Sequence, residues 1–216
     1  SPAAKLEYFR LLAGIGFKHI EVAFPSASQD DFDFTRRLIE EDLIPRDVFI
    51  MGLCQCREHL IDRTFEAFGG IPRGIVHLYV ATSELHMKQV FGLDRAKTLD
   101  MAVRAVTQAR RLADAQPGSD IRLEFSPEEF TDTDLDFAVE ICQAVFQAWG
   151  KATPQRPLIL NLPATVERRP PNQYADMIEL FRRRFTPLDS VTISLHSHRS
   201  EERRGGKGCR SRWSQY

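Results

Sequence analysis

The chain of 216 residues lacks any apolar run near the roughly 18 residues that a membrane span requires. Its first residues carry no signal-peptide pattern. Cysteine is scarce: Cys54, Cys56, Cys142 and Cys209 form no C-x-x-C pair and no disulfide framework. That excludes the stapled secreted class and makes the reducing cytoplasm the expected location. Cys54 and Cys56 alternate along one strand face and make no convincing two-thiol metal site, and Cys142 falls within an apolar stripe. Neither a G-x-G-x-x-G nor a Walker-type loop follows any candidate strand, which removes the commonest dinucleotide and nucleotide sites. Charge of one sign is also missing. With 29 Lys and Arg against 30 Asp and Glu, the net charge of −1 gives no case for nucleic acid or a membrane as partner.

What the chain does have is alternation. Six short, nearly continuous apolar runs lie at 19–25, 47–55, 74–81, 121–126, 157–164 and 190–196, bounded by Pro, Gly or Asp. Such runs are expected of parallel strands buried on both faces. Between them lie amphipathic segments of helical period. One carries Leu135, Ala138, Val139, Cys142, Val145, Phe146 and Trp149 as a single stripe, and another carries Leu99, Ala102, Val103, Val106 and Ala113. Ser28 and Asp31 read as a capping-box start, and Gly69-Gly70 as a helix stop. Strands alternating with helices admit a (β/α)8 barrel or an open doubly wound sheet. Polar residues at or near strand ends (Glu21, Gln55, His77, Glu124, Thr165, His196, His198) favour the barrel, whose site lies on that rim. The expected fold is therefore α/β, an incomplete (β/α)8 TIM barrel over residues 1–198 that lacks its first and eighth strands.

Candidate chemistry concentrates at the end of this region. His196-x-His198 on a strand turns both imidazoles to one face, where they can share a divalent ion. Spacing alone equally allows two incidental polar residues at a strand end. Glu124 stands inside an apolar strand, where a carboxylate needs a partner; a salt bridge to Arg122 would satisfy it without function. His77 in IVHLYV reads as a core histidine or a pocket residue. Thr165, after NLPA, can cap the next segment or donate to a carboxylate.

Long stretches then point further: IEVAFPSASQDDFDF (20–34), QCREHLIDRTFEA (55–67), IVHLYVATS (75–83), EFSPEEFTDTDLDFA (124–138), NLPATVE with PNQYAD (161–176), and ISLHSH (193–198). In this order they resemble the 2-isopropylmalate synthase family of leucine biosynthesis. The resemblance implies a barrel catalysing a Claisen-type condensation of acetyl-CoA with 2-oxoisovalerate, aided by a divalent metal (Mg, Mn or Zn), in a homodimer. Carried over by motif, it makes His196 and His198 metal ligands and Glu124 the catalytic-pocket carboxylate. Thr165 becomes the holder of the oxo-acid carboxylate, and His77 and Leu53 become walls of the oxo-acid pocket. The His-x-His is shared with sister enzymes such as homocitrate and citramalate synthases, which stand as the alternative.

Two departures matter. The family's first strand bears an Arg-Asp-Gly segment, with the Asp as third metal ligand, and it does not occur ahead of Pro2. The family's continuation after the His-x-His is replaced from Arg199 by a basic stretch. Residues 199–216 hold six basic residues against two acidic ones, whereas the rest holds 23 against 28. This tail has no helical or strand period and reads as foreign, disordered sequence. The expectation is a chain inactive by itself and poorly soluble. A basic-tailed module binding nucleic acid or an acidic partner through 199–216 is the remaining, different class.

Overall fold

The computed structural model describes residues 2–198, so the expectation of a foreign tail at 199–216 lies outside the described residues. Six strands run β1 (His19–Ala23), β2 (Phe49–Gln55), β3 (Arg73–Ala81), β4 (Asp120–Glu128), β5 (Leu158–Ala164) and β6 (Val191–Ser197). They form one sheet in chain order, and every neighbouring pair is parallel. Helices α1 (Pro2–Gly14), α2 (Gln29–Glu40), α3 (Glu58–Ala67), α4 (Glu84–Gln89), α5 (Arg95–Asp114), α6 (Leu135–Trp149) and α7 (Pro171–Arg184) fill the connections. All six expected strands are present, with boundaries shifted by one or two residues. β4 is extended at both ends and continues past Ser126 through Pro127 to Glu128.

Local chemistry accounts for the helix ends. The Ser28 side chain accepts a hydrogen bond from the Asp31 amide, so one arm of the capping box forms. The Asp31 carboxylate turns instead to the Phe24 amide and to Lys5. Asp94 and Asp134 cap α5 and α6 in the same way, each accepting from the amide three residues on. Gly150 ends α6 in the left-handed conformation, φ 67°, that a residue without Cβ adopts at little cost.

Apolar side chains separate into two clusters. The larger joins alternate residues of the strands (Ile50, Cys54, Val76, Leu78, Leu123, Phe125, Leu160, Leu162) to the buried faces of the helices. The smaller consists only of strand residues, Phe49, Met51, Ile75 and Ile159. Ile159 of β5 thus meets residues of β2 and β3 across β4. A flat sheet could not bring them together, so the sheet curls with its inner face concave and its helices outside. Phe68 plugs the outer layer; its ring lies 3.0 Å from where a Cβ on Gly52 would stand and 3.1 Å from one on Gly74. Glycine at both positions is what lets the ring press against the strands. Cys54, Cys56 and Cys142 are buried free thiols of this layer, and burial pushes the Cys54 thiol up to about 11. No helix among the described residues is long and apolar enough to cross a membrane.

Phe68 is fully buried, so Phe68→Ala leaves a cavity under two strands. A loss of about 3–5 kcal/mol is expected, read as a lower urea midpoint at unchanged slope.

Candidate active site

The concave face presents the odd-numbered residues of β2 and β3 and the even-numbered residues of β4. The ladder sets Leu53 opposite His77 and His77 opposite Glu124, so these three expected site residues form one row across three strands. His77 and Glu124 each stand fifth of nine residues in their strands. They lie at mid-depth, not at the rim where the sequence reading set them.

A polar chain crosses this face. His77 Nδ1 lies 2.7 Å from Glu21 Oε2, and its Nε2 lies 2.7 Å from Ser126 Oγ. Asn161 Nδ2 donates to the same Ser126 oxygen at 2.8 Å, while Asn161 Oδ1 is buried without a partner. The links run from β1 to β3 to β4 to β5, so concavity is needed to close them. Burial alone would lower the His77 pKa. The hydrogen bond that His77 donates to Glu21 and the charges of Glu124, Glu21 and Glu128 outweigh burial and raise the pKa. The imidazolium is thus favoured between carboxylates.

Glu124 is 4% exposed, and among the described residues its carboxylate takes no hydrogen bond. The expected alternative, a salt bridge to Arg122, is absent: Arg122 pairs with Asp120 at 3.1 Å. Burial is the main cause that raises the Glu124 pKa; His77 opposes it and Glu21 adds to it. An unpartnered buried carboxylate facing a concave surface is costly to keep, which marks it as a functional candidate.

The rim holds a second set of acids that sequence reasoning missed. Glu128 ends β4, and its Oε1 accepts the Thr165 hydroxyl at 2.5 Å. Thr165 Oγ1 in turn accepts the Glu129 amide at 3.1 Å. Thr165 does donate to a carboxylate, one belonging to the protein. Glu129 adopts a left-handed φ of 64°, rare for a residue with a side chain. Its buried carboxylate is bonded by Ser83 Oγ and His86 Nδ1, contacts that hold the turn in place. The signal available was the run SPEEF, which reads as solvated acid unless the strand is known to extend to its first Glu. Ser126 and Asn161 were also visible, as polar residues inside apolar runs.

His196 and His198 lie at the end of β6, both exposed, with ring centroids 4.7 Å apart. The i, i+2 spacing thus brings the two rings together. Pro163 pairs with His196. Ala164 pairs with Ser197, between the two histidines, and the next residue, Thr165, is the one that donates to Glu128. The histidine pair therefore shares its level with Glu128 and Thr165, above the row of Leu53, His77 and Glu124. No group of three or more His, Cys, Asp or Glu side chains among the described residues is arranged to hold a metal ion.

Similarity fixes the class of this surface. The HMGL-like family model matches residues 1–201. The chain belongs to the HMGL-like family. It is 50% identical over 199 residues to a 2-isopropylmalate synthase of Parafrankia sp., covering 92% of this chain and 35% of that protein. It is 53% identical over 195 residues to a 2-isopropylmalate synthase of Rhodospirillum rubrum, covering 90% and 35% respectively. A Kineococcus radiotolerans protein of the same name is 50% identical over 194 residues, 90% of this chain and 34% of its own length. The chain spans about a third of the length of the curated relatives it matches.

Two titrations test the concave chain. Glu21→Gln removes the negative charge facing His77 Nδ1, so the His77 pKa should fall, read from its ring-proton NMR titration. For Glu124 the folded pKa is raised, so the native carboxylate costs stability as pH climbs from its ordinary value of about 4.3. Glu124→Gln should match the parent in stability at lower pH and exceed it at neutral pH, as measured by urea unfolding across that range.

Proposed function

We propose that this chain is the portion of a 2-isopropylmalate synthase barrel that binds the 2-oxo acid, in an enzyme condensing acetyl-CoA with 2-oxoisovalerate. The observation that carries the reading is identity of about 50%, sustained over some 90% of the chain, with proteins of that name. The six parallel strands would then be the second to seventh of eight. The single-sided pairing of β1 and β6 supports this, since an edge strand keeps unused backbone donors and acceptors.

In this reading the concave row is the floor and wall of the oxo-acid pocket. Leu53 supplies an apolar wall, and the neighbouring inner cluster of Met51, Ile75 and Ile159 continues it, which suits a branched aliphatic tail. His77, fixed at both ring nitrogens by Glu21 and Ser126, presents an oriented imidazolium edge. Thr165 orients the substrate carboxylate, exchanging its bond to Glu128 for one to the ligand. His196 and His198 fit a divalent cation as two neutral nitrogen donors on one strand face. That ion, when bound, supplies Lewis acidity to the ketone.

The role that the resemblance gives to Glu124 divides between two carboxylates of β4. Glu124, buried in the floor, adds to the Glu21 hydrogen bond in favouring the charged form of His77. Glu128, half-buried at the rim and level with the histidine pair, is the acid placed to meet substrate or to handle a proton. Two imidazoles alone hold a divalent ion weakly at neutral pH, so the chain by itself is expected to release no CoA.

The test is CoA release from acetyl-CoA with Mg²⁺ or Mn²⁺. It is run on this chain, and on residues 2–198 grafted in place of the matching third of the Rhodospirillum rubrum enzyme. The graft should turn over 2-oxoisovalerate, and Glu128→Gln within it should cut kcat about a hundredfold or more. Preference for 2-oxoglutarate or pyruvate would overturn the substrate assignment, and turnover by the chain alone would overturn the two-ligand argument.

A further inference from the structure

At the opposite end of the sheet a shallow recess, open to solvent, is lined by Arg110, Arg122, Trp149, Lys151 and Arg156. It sits at the start of β4, and Glu128 ends that strand eight residues on. At ~3.3 Å per residue the two ends are about 26 Å apart. The proposal below therefore does not depend on the proposed function.

Four cations drawn from α5, β4 and the α6–β5 connection converge here, and they share only two carboxylates. Asp114 accepts from Arg110 at 2.5 Å and from Lys151 at 2.6 Å. Asp120 accepts from Arg156 at 2.6 Å and from Arg122 at 3.1 Å. The recess thus keeps a net charge of +2, in a body whose acidic residues outnumber its basic ones. Arg122 adds a free donor: its Nε is buried and, among the described residues, has no hydrogen-bond partner. A buried guanidinium N–H left unpaired is costly. Two of the guanidiniums are held in place by rings, Arg122 over Phe49 at 4.3 Å and Arg110 over Trp149 at 4.3 Å. The cations are therefore arranged in advance of any ligand. Asp114 and Asp120 both have lowered pKa values, caused for Asp114 by Lys151 and Arg110, and for Asp120 by Arg122 and Arg156 against the opposing effect of burial.

We propose that this recess is an anion site for a divalent oxyanion of the phosphate class, free or as a phosphomonoester. A dianion cancels the local +2. Its several acceptor oxygens can serve donors arriving from three segments, the geometry in which guanidiniums bind phosphate best.

Trp149 lies under Arg110 and reports on the site. The chain's other tryptophan, Trp213, is removed by Trp213→Phe. Titration with inorganic phosphate, and separately with AMP, should change Trp149 fluorescence saturably, whereas chloride at matched ionic strength should not. Tighter binding of phosphate assigns the free ion, and tighter binding of AMP the phosphomonoester. Lys151→Gln, an exposed change, should weaken binding about tenfold, the loss of one charge-assisted hydrogen bond. Asp114→Asn frees Arg110 and Lys151 and should tighten it several-fold. Responses to phosphate and AMP that match chloride, or an Asp114→Asn chain that binds no tighter, would overturn the assignment.

Discussion

Parallel pairing in strict chain order is the constraint on which everything else here rests. A parallel neighbour cannot be reached by a tight turn, so each strand must be followed by a crossover long enough to carry the chain back. The crossovers here are helices, and their apolar stripes must be buried against the sheet. All of them lie on one side. The other side is left to strand residues alone, and the sheet curls around them. The concave polar chain from Glu21 to Asn161 is a product of that curvature, because its members come from strands that are not all neighbours.

The polar chain shows how a hydrophobic sheet tolerates ionisable groups. His77 is 6% exposed yet has partners at both ring nitrogens. Three carboxylates act on it, two of them from β4. Glu124 has no such hydrogen bonds and carries the full cost of burial as a raised pKa. The two residues offset each other in part, since the ladder sets them opposite each other on β3 and β4. The rim works differently. Glu128 and Glu129 are adjacent, yet the left-handed turn at Glu129 sends one carboxylate to Thr165 and the other to Ser83 and His86.

Much of the fold was legible in the sequence because buried parallel strands advertise themselves as continuous apolar runs. The amphipathic stripe of α6 and the cap at Ser28 were equally local signals. Register was not legible. No local pattern says that residue 77 faces residue 124, or that Glu128 stands level with the histidine pair, since those offsets depend on loop lengths and helix packing. The sequence therefore put His77 and Glu124 at the rim, where they are not. It passed over Glu128, Ser126 and Asn161, whose meaning comes from their cross-strand neighbours. The His-x-His was readable for the opposite reason: two residues on one strand need no register to share a face.

The division of the apolar residues into an outer layer and a small inner cluster has a consequence for how such a protein can diverge. Residues that hold the helices to the sheet, such as Phe68 and Phe125, belong to the outer cluster, and the inner Met51, Ile75 and Ile159 form a separate one made of strand residues alone. Exchanging an inner side chain for a larger or smaller one would reshape the concave surface while leaving the scaffold's main cohesion intact. Divergence of the concave face is thereby partly insulated from collapse of the fold, and new surface shapes become reachable there through single replacements.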